Sequence, residues 1–310
     1  MKDTSSFSLV MTNLFVGLCR GHRFLHPVSD QARALGYKLF RIEPSFAGTM
    51  RQVRPDAIAC SSRRRHTLLG EWTGMDSMTP EKRLQICAYV AVTRKELVAL
   101  AAVDVDSAES SSTWLVVRPE AAGAFGVVLK TTPAGRLMLS TLGVHDNSGY
   151  RLAWHGGALA DDKLTGLLTG PHTFRRVPMS YVRFSFDDLS PRAIAAPVVQ
   201  EIVSLAAKET YRFTIVGLCT DLFDGAWKQI ATEVQNSVAR AVRKVVKELS
   251  SQEYASDWLA PVPGERDSWA LNVGRKADVS SFLSQFRDIA ERFLARLASR
   301  PFTPELPFDD

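Results

Sequence analysis

Cysteine is scarce in this 310-residue chain: Cys19, Cys60, Cys87 and Cys219 are the only four, they stand far apart, and no Cys-x-x-Cys pair occurs. That excludes a disulfide-stapled scaffold and a cysteine-rich zinc module, and it points to free thiols in a cytoplasmic protein. Long apolar runs are missing too. The best of them, Phe7 to Cys19, is interrupted by Thr12, Asn13 and Gly17 and falls short of the ~20 residues a bilayer span needs. The N-terminus sets Lys2 beside Asp3 with no small-residue cleavage site after the run, which is not the layout of a secretory leader, so no membrane partner is expected. There is no internal repeat and no low-complexity tract; "DSAESSSTW", residues 106–114, reads as a polar loop. Neither a G-x-S-x-G nucleophile elbow nor a glycine-rich phosphate loop is present, which excludes two large enzyme classes.

What is present is ordinary globular material, 45% hydrophobic and 23% charged, enough for one large core or two smaller ones. Lys and Arg outnumber Asp and Glu by 38 to 33, a net charge of +5 that mildly favours a polyanionic partner. Residues 8–20 and 28–36 read as helices, the second closed by Gly36. "YKLFRI", "DAIAC" and "HTLLGEW" are three short apolar runs with strand character. "TPEKRLQICAYVAVTRKELVAL" reads as one helix with Thr79 as cap and Pro80 at its first position, and "TWLVVR" follows as another strand. Between residues 119 and 190 "FGVVLK" and "SYVRFSF" are read as strands and "GALADDKLTG", with Asp161 and Asp162, as a loop. From Pro191 the pattern turns helical: "PVVQEIVSLAAK", "IVGLCTDLF" and a long helix "GAWKQIATEVQNSVARAVRKVVKELSS", with "YRFT" as a short extended piece between the first two. A Trp-bearing hairpin, "DWLAPV" and "DSWALNV", comes next, and an amphipathic helix ends the chain. Three helices and a hairpin is the order of a winged-helix domain. The expected organisation is α+β, with an α/β domain over 1–190 and a helical, winged-helix-like domain over 191–310.

The chemistry-bearing feature lies in "RPDAIACSSRRRHTLLGEWTG", residues 54–74. Asp56 precedes one strand and Glu71 stands near the end of the next, so a hairpin through "SSRRRH" brings both carboxylates to one edge of a sheet. Two hard oxygen donors side by side suit Mg²⁺, which keeps several waters and binds phosphate oxygens. These residues, with "EKRLQICAYV" after them, resemble the PD-(D/E)XK nuclease superfamily, whose core runs helix, three strands, helix, strand. The resemblance covers roughly residues 28–118 and implies a mixed-sheet, restriction-endonuclease-like core. It implies metal ligation by Asp56, Glu71 and the main-chain carbonyl of Trp72, and phosphodiester hydrolysis. Where the family carries its lysine this chain has Thr73, a hydroxyl that orients water but supplies no positive charge to a developing oxyanion. The substitute cation is sought on the following helix, where Lys82 shares a stripe with Gln85 and Tyr89; divergent members of the family relocate the lysine this way. Glu43, at the end of the first strand, is a further candidate ligand.

Two basic clusters are candidates for nucleic-acid contact: Arg63, Arg64 and Arg65 at the hairpin tip, and Arg240, Arg243, Lys244 and Lys247 on the long helix opposite the stripe Val234, Val238, Val242, Val245 and Leu249. Cys19, His22 and His26 have zinc-like spacing but lack a fourth ligand, and are read as ordinary side chains. Three functional readings stay open. The first is a Mg²⁺-dependent DNA endonuclease, for which the resemblance implies a mobile-element, restriction or phage-defence setting. The second is an inactive DNA-binding or assembly subunit that works with protein partners in a larger nucleoprotein machine. The third is a winged-helix regulator.

Overall fold

The computed structural model describes residues 4–145, 149–252, 258–272 and 279–299. The chain divides into two units, the first made of Met1–Ser185 and Phe223–Gln235, the second of Phe186–Leu222 and Asn236–Asp310. Segment 223–235, assigned from the sequence to the C-terminal domain, thus belongs with the first unit.

The first unit begins with α1 (Thr4–Arg20), longer at its start than the sequence suggests, and α2 (Val28–Ala34), shorter at its end. Then come β1 (Lys38–Ile42), a two-residue-per-strand hairpin of β2 (Phe46–Ala47) and β3 (Gln52–Val53), β4 (Ala57–Ser61) and β5 (His66–Thr73). After α3 (Pro80–Val90) and α4 (Arg94–Ala99) follow β6 (Ser110–Val117), α5 (Ala122–Gly126), β7 (Arg136–His145), β8 (Gly149–Leu159), α6 (Asp162–Thr169) and β9 (His172–Phe174). Seven of these strands form one mixed sheet in the order β1-β4-β5-β6-β7-β8-β9. The β1, β4, β5 run is antiparallel, β5, β6 and β7 are mutually parallel, and β8 and β9 return antiparallel. The fold is α+β.

β5 is buried along its whole length, as befits a central strand covered on both faces. Leu68 and Trp72 face a core shared with Phe7, Met11 and Phe15 of α1, whereas Leu69 faces Tyr89 and Leu97 of α3 and α4. Gly70 has to be glycine here: a Cβ would lie 2.8 Å from the Trp72 ring and 3.0 Å from that of Phe15.

Several local expectations are corrected. The single helix over 79–100 is two, because Thr93 and Glu96 form a reciprocal capping box that starts α4. Arg136 stabilises the break by donating to Val90 O (2.7 Å from Nη2) and Val92 O (2.9 Å), carbonyls left over at the end of α3. The polar loop ends at Glu109, since Ser110–Ser112 already pair with β5. "FGVVLK" is helical, not a strand: Phe125 and Val128, three apart, both bury in the cluster of Leu115 and Leu137. "SYVRFSF" forms no strand, because the Asn13 amide takes both backbone groups of Val182, accepting from its N–H at 3.0 Å and donating to its carbonyl at 2.7 Å. "GALADDKLTG" is the end of β8 and the start of α6, with Asp161 as the cap.

In the second unit α7 (Pro191–Ala207), β10 (Arg212–Thr214), α8 (Ile215–Leu222) and the body of α9 (Thr232–Ser250) precede a hairpin of β11 (Leu259–Pro261) and β12 (Ser268–Leu271). β12 lies between β10 and β11 in a three-stranded antiparallel sheet. α9 starts later than the sequence suggests, after a 3-10 turn at Trp227–Gln229. α10 (Val279–Ser299) packs on α7 and buries Phe286, Ile289 and Phe293. No helix among the described residues is long and apolar enough to cross a membrane.

Candidate active site

Pro55 forces Arg54 toward an extended backbone and Asp56 is the last residue before β4. Ala57 pairs with Gly70, so one step further along the ladder Asp56 comes to face Glu71. The Trp72 N–H donates to Asp56 Oδ2 at 2.7 Å, which fixes that carboxylate on the rim of the sheet. Glu71 is 2% exposed, on the face covered by α3. Trp72 sends its ring to the other face, 5.6 Å from that of Phe15, and is present at the site only through its main chain.

The opposing cation comes from α3. Thr79 caps this helix by accepting from the Lys82 N–H at 3.2 Å, and Pro80 presets its first turn. The result is that Lys82 Nζ forms an ion pair with Glu71 Oε1. One and two turns on, Gln85 donates to the Tyr89 hydroxyl, which donates in turn to the carbonyl of Arg54, directly before the Pro55-Asp56 pair. The stripe Lys82, Gln85, Tyr89 therefore lies over the carboxylates. Thr73 plays no such part: its hydroxyl accepts from the Met75 N–H at 3.2 Å and closes the turn after β5.

The electrostatics follow from crowding. Burial, then the charge of Glu71 and then that of Glu43, hold the Asp56 carboxyl well above the usual carboxylate range. Burial likewise pushes Glu71 up, while Lys82 pulls it back. Burial and the same two carboxylates push the Tyr89 hydroxyl above its ordinary value, which keeps it a neutral donor. Among the described residues Glu71 Oε2 is buried without a hydrogen bond of normal geometry, a costly state for a carboxylate oxygen, although the Tyr89 hydroxyl and the Asp56 N–H lie near enough to the carboxyl to lower its pKa. Full ionisation of both acids against one lysine would leave a net negative charge that only a further cation offsets, and without one the crowding favours a bound proton.

Glu43 stands just past β1 with its backbone in the left-handed region (φ 52°), and its N–H donates to the Asp56 carbonyl at 2.8 Å. Among the described residues no three His, Cys, Asp or Glu side chains gather at metal-binding spacing. Two carboxylates remain, and that matches Mg²⁺, which uses one or two carboxylates together with water and substrate phosphates. The orphaned Glu71 oxygen is the other feature that fits such an ion.

The remaining sequence candidates are spread over both units. At the hairpin tip Arg63 donates to Ala34 O at the end of α2 (2.8 Å), Arg64 makes a two-pronged pair with Asp161 (3.0 and 2.9 Å), and Arg65 pairs with Glu109. Arg64 is held against a buried carboxylate, whereas Arg63 and Arg65 are exposed. On α9, Val238, Val242, Val245 and Leu249 are buried as the stripe requires, with Val234 half-buried. Arg240 and Lys247 are exposed, Lys244 is half-buried, and Arg243 pairs with Asp267 through two bonds of 2.6 and 2.8 Å. His22 caps a 3-10 turn and His26 pairs with Asp30, while burial pushes the Cys19 thiol up to about 12.

Sequence reasoning missed a buried network. His66 Nδ1 lies 2.6 Å from the Tyr37 hydroxyl, which donates to Asp161, and His66 Nε2 lies 3.0 Å from Ser112. Its members come from four separate segments, so no local pattern announces it. No family model, curated protein or solved structure matches this chain.

Proposed function

We propose that this is a DNA-directed protein whose first unit is a divergent PD-(D/E)XK-like core that hydrolyses phosphodiesters with Mg²⁺. Its second unit, on this reading, is a winged-helix-like DNA-binding module. The observation that carries the reading is the ion pair of Lys82 with Glu71 beside Asp56. A cation is thus supplied from the helix after the hairpin, where the motif position itself holds Thr73. The order of elements from α2 through β6, with an antiparallel run of three strands and a helical crossover to a parallel fourth, supports the same reading. So does the order of helices and hairpin in the second unit.

In this proposal Asp56, Glu71 and the Trp72 carbonyl would hold the metal, which would polarise a phosphoryl oxygen and lower the pKa of bound water. Lys82 places its charge where negative charge grows during attack. Tyr89 and Gln85 orient that apparatus, and Tyr89 anchors the Arg54 carbonyl in front of Asp56. The test is cleavage of duplex and single-stranded DNA with Mg²⁺ or Mn²⁺. Glu71→Ala and Lys82→Ala are each expected to abolish cleavage while DNA affinity is retained, because ligand and charge act on the transition state.

A second reading, a non-catalytic DNA-binding or assembly subunit that keeps the fold as scaffold, is favoured by the lack of a third acidic ligand among the described residues and by the engaged Thr73 hydroxyl. Wild-type protein without cleavage, a Thr73→Lys variant equally silent, and no Mg²⁺ binding would decide for it.

A further inference from the structure

At the far end of the large sheet, exposed arginines stand at the margin of the face that α5 and the turn at Pro119 partly cover. Along β7 and β8, Leu139, Met138, Leu142 and Leu152 are buried. Toward the end of the ribbon, the side facing away from the α1 core presents Thr141 and Gly143 on β7, Arg151 and Ala153 on β8, and Thr173 on β9. Gly143 pairs with Arg151 and Arg151 with Thr173, which puts them in one row. Arg151 and Thr173 are exposed. Arg175 joins them: a Cβ on Gly149 would meet Phe174 O at 2.8 Å and Arg175 Cα at 3.6 Å, so the chain bearing this exposed arginine passes directly over Gly149. Pro119 packs over Gly143, where a Cβ would lie 2.7 Å from its ring. Among the described residues neither Arg151 nor Arg175 has a hydrogen-bond or ion-pair partner, and β7, β8 and β9 contain no acidic residue.

Strand register relates this face to the candidate active site. Glu71 pairs with Leu115 and Leu115 with Leu139, so the three stand in one row across parallel β5, β6 and β7. Leu69, Leu139 and Glu71 share the sheet face that α3 and α5 cover, and the alternation of β7 keeps Thr141 and Gly143 on it. Arg151 is opposite Gly143, four residues beyond Leu139 along β7 and one strand further out. At ~3.4 Å per residue and ~4.8 Å per strand, Arg151 therefore lies roughly 20 Å from Glu71 on the same face.

We propose that this face of β7, β8 and β9 is a backbone track for nucleic acid, gripping phosphates of the strand that reaches Asp56 and Glu71. The row Arg151, Thr173 and Arg175 is exposed, and the two arginines supply charge that no carboxylate among the described residues pairs. The separation corresponds to about six base pairs of B-form duplex, within the span of one bound segment passing outside α5. The proposal rests on the nucleic-acid reading above and adds where the substrate runs.

The test is fluorescence anisotropy with a labelled 30-base-pair duplex and its single strand, from 50 to 200 mM salt in EDTA. Wild type is compared with Arg151→Ala/Arg175→Ala and with Lys38→Ala/Lys163→Ala, which removes equal charge elsewhere on the first unit. Loss of two phosphate contacts should flatten the slope of log K against log salt by about 1.8 for duplex, with circular dichroism unchanged and the control pair like wild type. An unchanged slope in the arginine variant, an equal fall in the control, or wild type that binds neither oligonucleotide would overturn the proposal. Wild-type cleavage with Mg²⁺ is measured in parallel. A flattened slope without any cleavage would refute the catalytic reading and leave the track standing.

Discussion

Asp56→Asn should make the protein more stable at neutral pH while removing a proposed metal ligand. The Asp56 carboxyl is held above its ordinary value of 3.8 by burial and by Glu71 and Glu43. Between that value and its folded pKa, the folded state binds a proton that the unfolded state has released. Stability therefore falls as pH rises through this window and stays low above it. Each pH unit of the window costs up to about 1.4 kcal/mol for one proton, or roughly 3–6 °C in Tm for a unit of this size. Asparagine keeps an oxygen to accept the Trp72 N–H and carries no charge at any pH. Thermal unfolding in EDTA between pH 4 and 8 should give a Tm advantage to the variant that is largest at pH 8 and vanishes near pH 4. Added Mg²⁺ should raise the Tm of wild type at pH 8 and not that of the variant, since a ligand that binds only the folded state stabilises it in proportion to RT ln(1 + [L]/Kd). A variant less stable than wild type at pH 8, or an advantage independent of pH, would refute the reasoning.

Burial alone would raise the carboxyl of Asp161, but hydrogen bonds from Arg64 and Tyr37 hold it below the usual range. Its stabilising effect is present above the unfolded pKa and is lost as pH falls through the folded one; Arg64→Ala should accordingly move the midpoint of acid unfolding to higher pH, read by circular dichroism. On α9, Arg240→Ala/Lys247→Ala should flatten the salt dependence of DNA binding by close to two units, whereas Arg243→Ala should change it less because that guanidinium is already paired with Asp267; anisotropy titrations check both.

The candidate site was legible where the chain is local. Pro55-Asp56, the strand alternation that delivers Glu71, and the Thr79-Pro80 start that phases Lys82, Gln85 and Tyr89 all lie within short stretches whose geometry is set by backbone rules. Glu43 was marked for its place at the end of β1, and the structure puts it near enough to raise Asp56 but outside a three-carboxylate cluster. The partners of the hairpin-tip arginines, Ala34, Asp161 and Glu109, could not be read locally, because tertiary folding brings them in. The β7–β8 ribbon was hidden for a different reason: Gly143, Gly149, Gly156 and Gly157 dilute its alternation, and a register shift between Leu139 and Ser140 breaks its period. Phe125 and Val128 misled because a short apolar run has no length with which to separate helical from strand spacing. The return of residues 223–235 to the first unit leaves no mark in composition at all.

The hairpin register that sets Asp56 against Glu71 has a kinetic consequence. Arg54, Asp56, Glu71, Lys82, Gln85 and Tyr89 close on one another through loops of short sequence separation, so the entropy lost in assembling them is small and can be recovered early. β5, in contrast, needs β6, and through it β7, from far down the chain before its second edge is paired. The constellation of side chains is thus encoded as one contiguous cassette, whereas the far edge of the sheet that holds it is completed only by strands from further down the chain. During folding the acid pair would therefore form first as ordinary, solvated carboxylates and acquire its raised proton affinity as α3 docks over it.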